Sequence, residues 1–471
     1  MIFLQIYYII YKTKKRSKSD ADFYFIDGDK MKEKTKRQKA IIRRRIFIAA
    51  LAVALAATIA LLSVVICAVV KNSDEKGGEN NSQLESSNGS ITSTEDEINK
   101  DITATVLNTG DILIHENVLN GARQDDGSYS FAEFYKVAKP YITAADYAVV
   151  NLEVTLGGEE AGKYRGYPSF NTPDSLLDYV KADGFDMLLT ANNHSLDTGL
   201  AGLKRTVQQI KASGLDFLGT KETTDDPTYV IKDINGIKIG MVCYTYGTNS
   251  AANGASEFIN YFSSANLPAF YTEAQAVIDD MKQNGAEAIV FYMHWGDEYH
   301  TTPNTYQKAA AQSLCNMGVD VIVGAHPHVL QPIELIHSED SQNTTVCLYS
   351  MGNSISNQRI VEMTGVCETG HTEDGVLFSY TFTKDADGEV SLTAVDIIPT
   401  WVDRWGISGN YQYTMYPLES ADMANSYGLD DATANKAAAS YERTKQIVAA
   451  GLTECQQYLG CEIRFAEQVS D

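Results

Sequence analysis

Positive charge is scarce in most of this sequence. After residue 70 the chain holds 24 lysines and arginines against 56 aspartates and glutamates, a formal net charge of −32. A body so acidic repels a phosphate backbone, which argues against nucleic acid as a ligand. The first 70 residues have the opposite balance, with 14 basic and 5 acidic side chains. A basic head and an acidic body indicate a membrane between them.

Cysteine is also sparse, and none of the seven cysteines lies in a Cys-X-X-Cys pair. Six of them follow residue 70, and outside the cell such cysteines can form disulfides. Six cysteines allow fifteen pairings, among which a sequence does not choose. Buried free thiols are the alternative.

Only one hydrophobic run is long enough to cross a bilayer. Ile46–Val70 comprises 25 residues without a charge and directly follows the basic stretch KTKRQKAIIRRR. That length spans a bilayer with some tilt, and the positive-inside rule places residues 1–45 in the cytoplasm. A cleaved signal peptide is the alternative, but the run is long for one and lacks a clear small-residue cleavage site. We therefore predict a single-pass anchor in the cell membrane, with the main domain extracellular.

The start of the chain is unusual, because its first eleven residues are apolar but too few to span a membrane. Met31 begins a more usual anchor sequence. We expect Met31 to be the true start of translation.

Composition changes again after the anchor. Residues 71–101 are rich in serine, asparagine, glutamate and glycine, which is typical of a flexible stalk. From residue 102, short apolar runs alternate with amphipathic stretches, the pattern of βα units in an α/β sheet. We assign residues 102–401 to one α/β domain and residues 402–471 to a helical C-terminal extension.

Local signals mark several boundaries within the α/β domain. Three amphipathic stretches, each followed by an apolar run, stop at Gly214, Gly285 and Gly318, as helices commonly do. Asn235-Gly236 separates two apolar segments and predicts the turn of a β-hairpin.

Polar side chains collect where the apolar runs end, and five of the eight histidines are among them. In an open α/β sheet, ligands bind outside the carboxyl ends of the strands. We therefore expect these side chains to share one site. They are Asp111, His115, Asn151, Glu153, Asn193, His194, Asp197, His294, His326, His328 and Asn353.

Imidazole and carboxylate together suit zinc, manganese or iron, and thiolates are absent from the set. A bridging carboxylate can hold two ions roughly 3.5–4 Å apart, and such a pair activates a water molecule. The sequence therefore predicts a site for divalent metal ions. If one carboxylate bridges, the site holds two ions. Each motif alone would also fit a turn, a capped loop or simple packing. Because all of them occur at the ends of successive predicted strands, a shared metal site is favoured.

The tripeptide His326-Pro327-His328 allows a prediction about its backbone conformation. Proline disfavours helix at the preceding residue, and residues i and i+2 of an extended chain point the same way. We expect extended backbone here, with both imidazoles facing one site. Gly324, just before the step, would allow close approach of another backbone.

Six ordered motifs resemble the CapA family of poly-γ-glutamate capsule synthesis proteins. They are GDILIH, NLEVTL, NNHSLDTG, HWGDEY, GAHPHVLQPIE and YSMGNSISNQ, within residues 102 to 400. The anchor and stalk are similar to that family's layout. The family is in turn similar to calcineurin-like metallophosphatases, which implies a layered αββα sandwich with a two-metal centre.

The resemblance also implies roles for individual residues. Asp111 and His328 would bind the first ion and Glu153 would bridge. Asn193, His294 and His326 would bind the second ion, and His194 would protonate the leaving group. The chain departs from the phosphatase pattern at three points: His115 lies four rather than two residues after Asp111, a glutamate replaces the bridging aspartate, and NNH replaces GNH. Phosphatase activity does not follow from the fold alone.

Three functions remain open at this stage. The first is the synthesis or export of an anionic polymer, poly-γ-glutamate, together with capsule synthase components in the membrane. The second is metal-dependent hydrolysis of phosphoesters or of polymer amide bonds. The third is a non-catalytic scaffold of a membrane complex. A net charge of −32 repels a polyanion, and bound cations would offset that repulsion at the site.

Overall fold

Residues 101–251, 254–340 and 342–465 are described by the structure, a computed structural model. They belong to one compact unit, Asp96–Asp471. The predicted basic tail, the predicted anchor Ile46–Val70 and nearly all of the predicted stalk lie outside these residues. Within the described ranges, no helix has both the length and the apolar character needed to cross a bilayer.

The described residues form fourteen strands and eight α-helices. The strands are β1 (Ile102–Ile112), β2 (Tyr147–Leu152), β3 (Met187–Leu189), β4 (Asp216–Leu218), β5 (Tyr229–Ile234), β6 (Ile237–Thr245), β7 (Ala288–His294), β8 (Val321–Ala325), β9 (Leu330–His337), β10 (Thr344–Met351), β11 (Asn353–Ile355), β12 (Asp374–Lys384), β13 (Val390–Ile407) and β14 (Asn410–Pro417). The helices are α1 (Glu116–Ala122), α2 (Lys139–Ile142), α3 (Ser175–Ala182), α4 (Gly199–Ser213), α5 (Leu267–Gln283), α6 (Thr305–Asn316), α7 (Met423–Ser426) and α8 (Asp431–Leu459).

These strands form two sheets. The first has the order β14-β13-β12-β1-β2-β3-β4, with β11 paired to β1 as well. Its strands β1 to β4 are parallel, whereas β12 to β14 are antiparallel. The second sheet has the order β5-β6-β7-β8-β10-β9 and is parallel from β6 through β8 to β10. Parallel strands end at a common edge, so the loops after β1, β2 and β3 lie together, as do those after β7 and β8.

Central strands bury both of their faces. In β2, Val149 packs in the core between the sheets and Val150 in an outer core. In β7, Val290 and Phe291 are divided in the same way. Because side chains alternate along a strand, burying both faces requires a continuous apolar run. This requirement explains why the sequence predicts these strands clearly.

Three hydrophobic cores separate the layers. The inner core receives side chains from both sheets. One outer core joins the first sheet to α1, α3 and α4 through Leu119, Leu177 and Ile210. The other joins the second sheet to α5 and α6 through Ile278 and Leu314. The order of layers is helix, sheet, sheet, helix, and the predicted mixed α/β class is confirmed.

Several predicted boundaries are confirmed. Helices α4, α5 and α6 end within two residues of Gly214, Gly285 and Gly318. Asn235-Gly236 forms the turn between the antiparallel strands β5 and β6.

The boundary predicted at residue 401 is wrong in one respect. Strand β13 runs through Trp401 to Ile407, and β14 then pairs with it, so residues 402–417 complete the first sheet. Charged and polar residues such as Arg404 and Gln412 interrupt the apolar pattern, because this pair forms the sheet's edge. The helical part begins only at α7, and the long helix α8 then packs against β13 and β9, one strand from each sheet.

The six cysteines that follow residue 70 are all free thiols. Five of them are buried, and Cys461 is partly exposed. Of the alternatives left open by the sequence, the structure shows buried thiols rather than disulfides.

Candidate metal centre

Six predicted metal ligands meet where the two sheets adjoin. Asp111 lies at the end of β1, Glu153 directly follows β2, and Asn193 follows β3. From the second sheet, His294 ends β7, and the His326-Pro327-His328 step follows β8. All six side chains are buried. Each sheet therefore contributes three of them.

Two buried groups of three could each hold a cation. One consists of Asp111, Glu153 and His328, and the other of Glu153, His294 and His326. In each group, one ligand atom from every member lies within 4.8 Å of the others. Glu153 Oε1 lies 3.7 Å from the Nε2 atoms of both His294 and His328. Glu153 therefore belongs to both groups, the position of a bridging carboxylate.

Unpaired polar atoms test whether these residues fit a cation. Glu153 Oε1, His294 Nδ1 and His326 Nδ1 are buried without a hydrogen-bond partner. A buried polar group without a partner costs folding free energy, on the order of 1–3 kcal/mol. Nitrogen and oxygen donors of this kind match zinc, manganese or iron. The residues therefore fit divalent ions.

Protonation states agree with that fit. Burial, reinforced by the nearby Asp111 carboxylate, raises the pKa of Glu153 well above its ordinary value. Burial, reinforced by neighbouring imidazoles, lowers the pKa values of His294 and His326 well below the ordinary value. Neutral imidazole is the form that binds metal. In the absence of a cation, Glu153 holds a proton more tightly than an ordinary carboxyl group.

Metal binding is therefore expected to release a proton from Glu153. The sign follows from the raised pKa: Mn²⁺ affinity should increase as pH rises toward the pKa of Glu153, because less free energy is then spent on removing its proton. His294 and His326 should release none, since they are already neutral. Calorimetric titration with Mn²⁺ in two buffers of different ionisation enthalpy measures the release. Glu153→Gln is the control, and binding heats independent of buffer would contradict the expectation.

Amide side chains orient several of these groups. Asn151 Nδ2 donates to Asp111 Oδ1 at 2.7 Å, and His328 Nδ1 lies 3.0 Å from Asp111 Oδ2. Asn193 Oδ1 lies 2.8 Å from His294 Nε2. Asn353 Nδ2 donates to the backbone carbonyl of His328 at 3.2 Å. Asn151 and Asn353 thus hold Asp111 and His328 in position and are not themselves members of either buried group.

His194 forms a buried pair with Asp197. Nδ1 of the imidazole lies 2.7 Å from Asp197 Oδ2, which also accepts from the backbone N–H of Phe170 at 2.6 Å. The carboxylate therefore fixes the ring and directs a proton to Nδ1. Nε2 then accepts from Asn249 Nδ2 at 3.3 Å, on the side that faces away from Asp197. A histidine oriented in this way can exchange a proton with a bound molecule.

His115 is placed differently from the ligand set. Its Nδ1 accepts from the backbone N–H of Asn357 at 3.3 Å and lies as far from the Leu113 carbonyl. The ring packs edge-on against Phe170. Burial and the nearby His328 lower its pKa to about 3. Among the described residues, His115 is in none of the groups that could hold a cation.

The backbone of the His326-Pro327-His328 step is not extended, contrary to our expectation. His326 has φ +97° and His328 has φ +56°, both in a region that non-glycine residues rarely occupy. The two imidazoles nevertheless lie near one another, with ring centroids 5.9 Å apart. Such backbone strain is typical of functional sites.

Two glycines are required where backbones converge on the site. A Cβ at Gly110, just before Asp111, would lie 1.9 Å from the Gly352 carbonyl oxygen. A Cβ at Gly324 would lie 1.9 Å from that of Tyr349. The close approach predicted for Gly324 is confirmed.

Sequence reasoning missed three residues beside the site. Glu298 forms a third possible cation group with His326 and His328. The Tyr246 ring lies 4.7 Å from that of His326, centroid to centroid, and Asn249 contacts His194. Glu298 stands within the motif HWGDEY, four residues after His294. Tyr246 and Asn249 follow the end of β6. The rule that ligands bind outside the carboxyl ends of strands, which located the other residues, would therefore have found them as well.

A cavity of about 690 Å³ adjoins the centre. Tyr246 and Asn249 belong to its wall, and most of the remaining lining residues are serine, threonine, asparagine and aromatic side chains. No predicted ligand among the described residues lines this cavity; Tyr246 and Asn249 connect its wall to His326 and His194.

Comparison with known proteins identifies relatives. The family model "Bacterial capsule synthesis protein PGA_cap" matches residues 105–358. The PGA biosynthesis protein CapA of Bacillus subtilis is 28% identical over 293 residues, 61% of this chain and 70% of that protein. The capsule biosynthesis protein CapA of Bacillus anthracis is 28% identical over 264 residues, 55% of this chain and 61% of that protein.

One solved structure has a weak likeness to the chain. The NAD nucleotidase NadN of Haemophilus influenzae aligns with 79% of this chain and 69% of its own, at 12% identity and a TM-score of 0.39. A score that low supports no argument about fold or activity. The family match is different in kind, since it covers more than half of the chain and includes all six predicted ligands. The chain belongs to the bacterial capsule synthesis protein family PGA_cap.

Proposed function

We propose that this protein is an extracellular, membrane-anchored component of poly-γ-glutamate capsule synthesis that carries a hydrolytic two-metal centre of metallophosphatase type. The names of the two Bacillus relatives support the polymer. Four layers with a ligand-rich edge, as in the metallophosphatases that the motifs resemble, support the centre. This chain spans only 61% to 70% of the length of those relatives.

The single observation that carries the hydrolytic part is the position of Glu153. Its carboxylate is shared by two buried groups, each of which adds two further ligands. A lone structural ion needs one such group. Two groups joined by one carboxylate are the arrangement that places two cations side by side.

The chemistry divides between the ions and the chain. Asp111, Glu153 and His328 would hold one ion, and Glu153, Asn193, His294 and His326 the other. When bound, such ions supply an activated water and polarise the bond to be cut. In hydrolysis the water oxygen bonds to the carbonyl carbon or phosphorus, and the bond to the leaving nitrogen or oxygen breaks. His194 would act as the imidazolium, which the Asp197 carboxylate stabilises through Nδ1–H; it would give its Nε2 proton to the leaving atom and be left as neutral imidazole with its proton on Nδ1.

Metal analysis joined to a substrate assay tests the proposal. The full-length protein, purified in mild detergent, should contain about two divalent ions per chain after loading with Mn²⁺ or Zn²⁺. It should hydrolyse either γ-linked glutamate oligomers or nitrophenyl phosphate esters, and chelation should stop it. A chain that binds no metal after loading would be a scaffold. A loaded chain inactive on both substrate classes would refute the hydrolytic part.

The membrane part of the proposal concerns Ile46–Val70. Its length, lack of charge and basic flank support an uncleaved anchor with the main domain outside the cell. There the protein would work with synthase components in the same membrane. N-terminal sequencing of the protein from cells provides the test: a mature N-terminus beyond residue 70 would refute the anchor.

A further inference from the structure

We propose that Glu298 is an additional ligand of the metal centre, which it reaches from the solvent side. The inference rests on the two-metal centre proposed above and extends it. Glu298, His326 and His328 each place a ligand atom within 4.8 Å of the others. His326 belongs to one buried group and His328 to the other. Glu298 is therefore adjacent to both cation positions.

The loop that carries Glu298 is fixed against these histidines. The backbone N–H of Trp295 donates to the Ala325 carbonyl at 3.1 Å, and that of Tyr299 donates to the Pro327 carbonyl at 2.7 Å. These two bonds bracket Glu298 and tie its loop to the segment of His326 and His328. The backbone of Glu298 is thus fixed relative to the two histidines.

Backbone strain points in the same direction. Tyr299, directly after Glu298, has φ +65°, a conformation that costs a non-glycine residue of order 1–3 kcal/mol. The Tyr299 hydroxyl accepts from Gln358 Nε2 at 3.3 Å, which holds the turn from its other end. The strained turn keeps Glu298 at the mouth of the site.

Charge supplies a further reason. The Glu298 carboxylate is exposed, and anionic oxygen is a ligand type that manganese and zinc accept alongside imidazole. Asp111 and Glu153, the carboxylates of the two buried groups, are both inaccessible to solvent, so Glu298 would supply a carboxylate from the solvent side.

The test compares two neighbouring carboxylates. Glu298→Gln keeps size and removes the charge, and Asp297→Asn makes the same change one residue earlier. Asp297 is also exposed, but its Oδ2 accepts from Asn304 Nδ2 and belongs to no cation group among the described residues. Mn²⁺ affinity of each full-length variant is measured by calorimetry, and the bound ion by electron paramagnetic resonance.

We expect Glu298→Gln to weaken the binding of at least one Mn²⁺ ion by about 10–100-fold and to alter the resonance spectrum, and Asp297→Asn to do neither. Equal weakening in both variants would show a general charge effect and overturn the proposal. Unchanged affinity in Glu298→Gln, with two ions bound, would overturn it while leaving the centre intact. A wild-type chain that binds no Mn²⁺ would refute the centre and this inference together.

Discussion

Replacing both His326 and His328 with alanine is expected to abolish metal binding by the full-length protein. The two histidines belong to different buried groups, so the double variant leaves neither group with three ligands. Loading the variant with Mn²⁺ or Zn²⁺, followed by elemental analysis, should reduce about two ions per chain to none. The variant keeps every apolar side chain of the three cores, so circular dichroism should still show a folded domain with cooperative unfolding.

Two other histidines provide the matched control for this double variant. His337 and His371 lie outside every cation group of the described residues, and their joint replacement by alanine should leave the bound metal unchanged. If the variant at His326 and His328 keeps wild-type stoichiometry, the assignment of the site is wrong. If both double variants lose metal, the loss reflects general instability.

Replacing His194 with glutamine is expected to lower kcat by about 10²–10⁴-fold, the range found when a general acid is removed. The ions should remain, because His194 Nδ1 is bonded to Asp197 and the ring belongs to neither buried group. The measurement is turnover of the substrate on which the wild-type protein is active, together with metal content. A substrate with a good leaving group, which needs little protonation, should show a much smaller loss.

Asp197→Asn tests the same pair from its other member. The substitution removes the charge that orients His194, so kcat should also fall. The double variant His194→Gln with Asp197→Asn should have a kcat only slightly lower than that of either single variant, because the two residues act as one pair. The exposed His300, changed to glutamine, is the control for histidine replacement near the mouth of the site. Wild-type turnover in His194→Gln, or loss of its metal, would each contradict the role in proton transfer.

Much of this fold is predictable because local rules dominate its centre. Strands such as β7 bury both faces and therefore form continuous apolar runs, and helices such as α4 end at a glycine. Since parallel strands share a carboxyl edge, polar residues at the ends of those runs, such as Glu153 and His294, converge without any further information. The edge pair β13 and β14 breaks the apolar pattern and was missed for that reason.

What the sequence did not predict depends on contacts distant in the chain. The positive φ values of His326 and His328 are imposed by surrounding structure against the local preference for extended backbone before proline. His115 turns toward Asn357, which is 242 residues away along the chain. Glu298 reaches the centre through a turn whose anchors lie on the next loop. Local periodicity contains no signal for any of these.

The equal division of ligands between the two sheets bears on the order of folding. Asp111, Glu153 and Asn193 come from one sheet, and His294, His326 and His328 from the other. Each of the two buried groups takes ligands from both sheets, so neither is complete until the halves have docked. Ions that bind only the finished domain stabilise it by mass action. They would enter last and slow the separation of the halves, so a chain that crosses the membrane unfolded would acquire its metals outside.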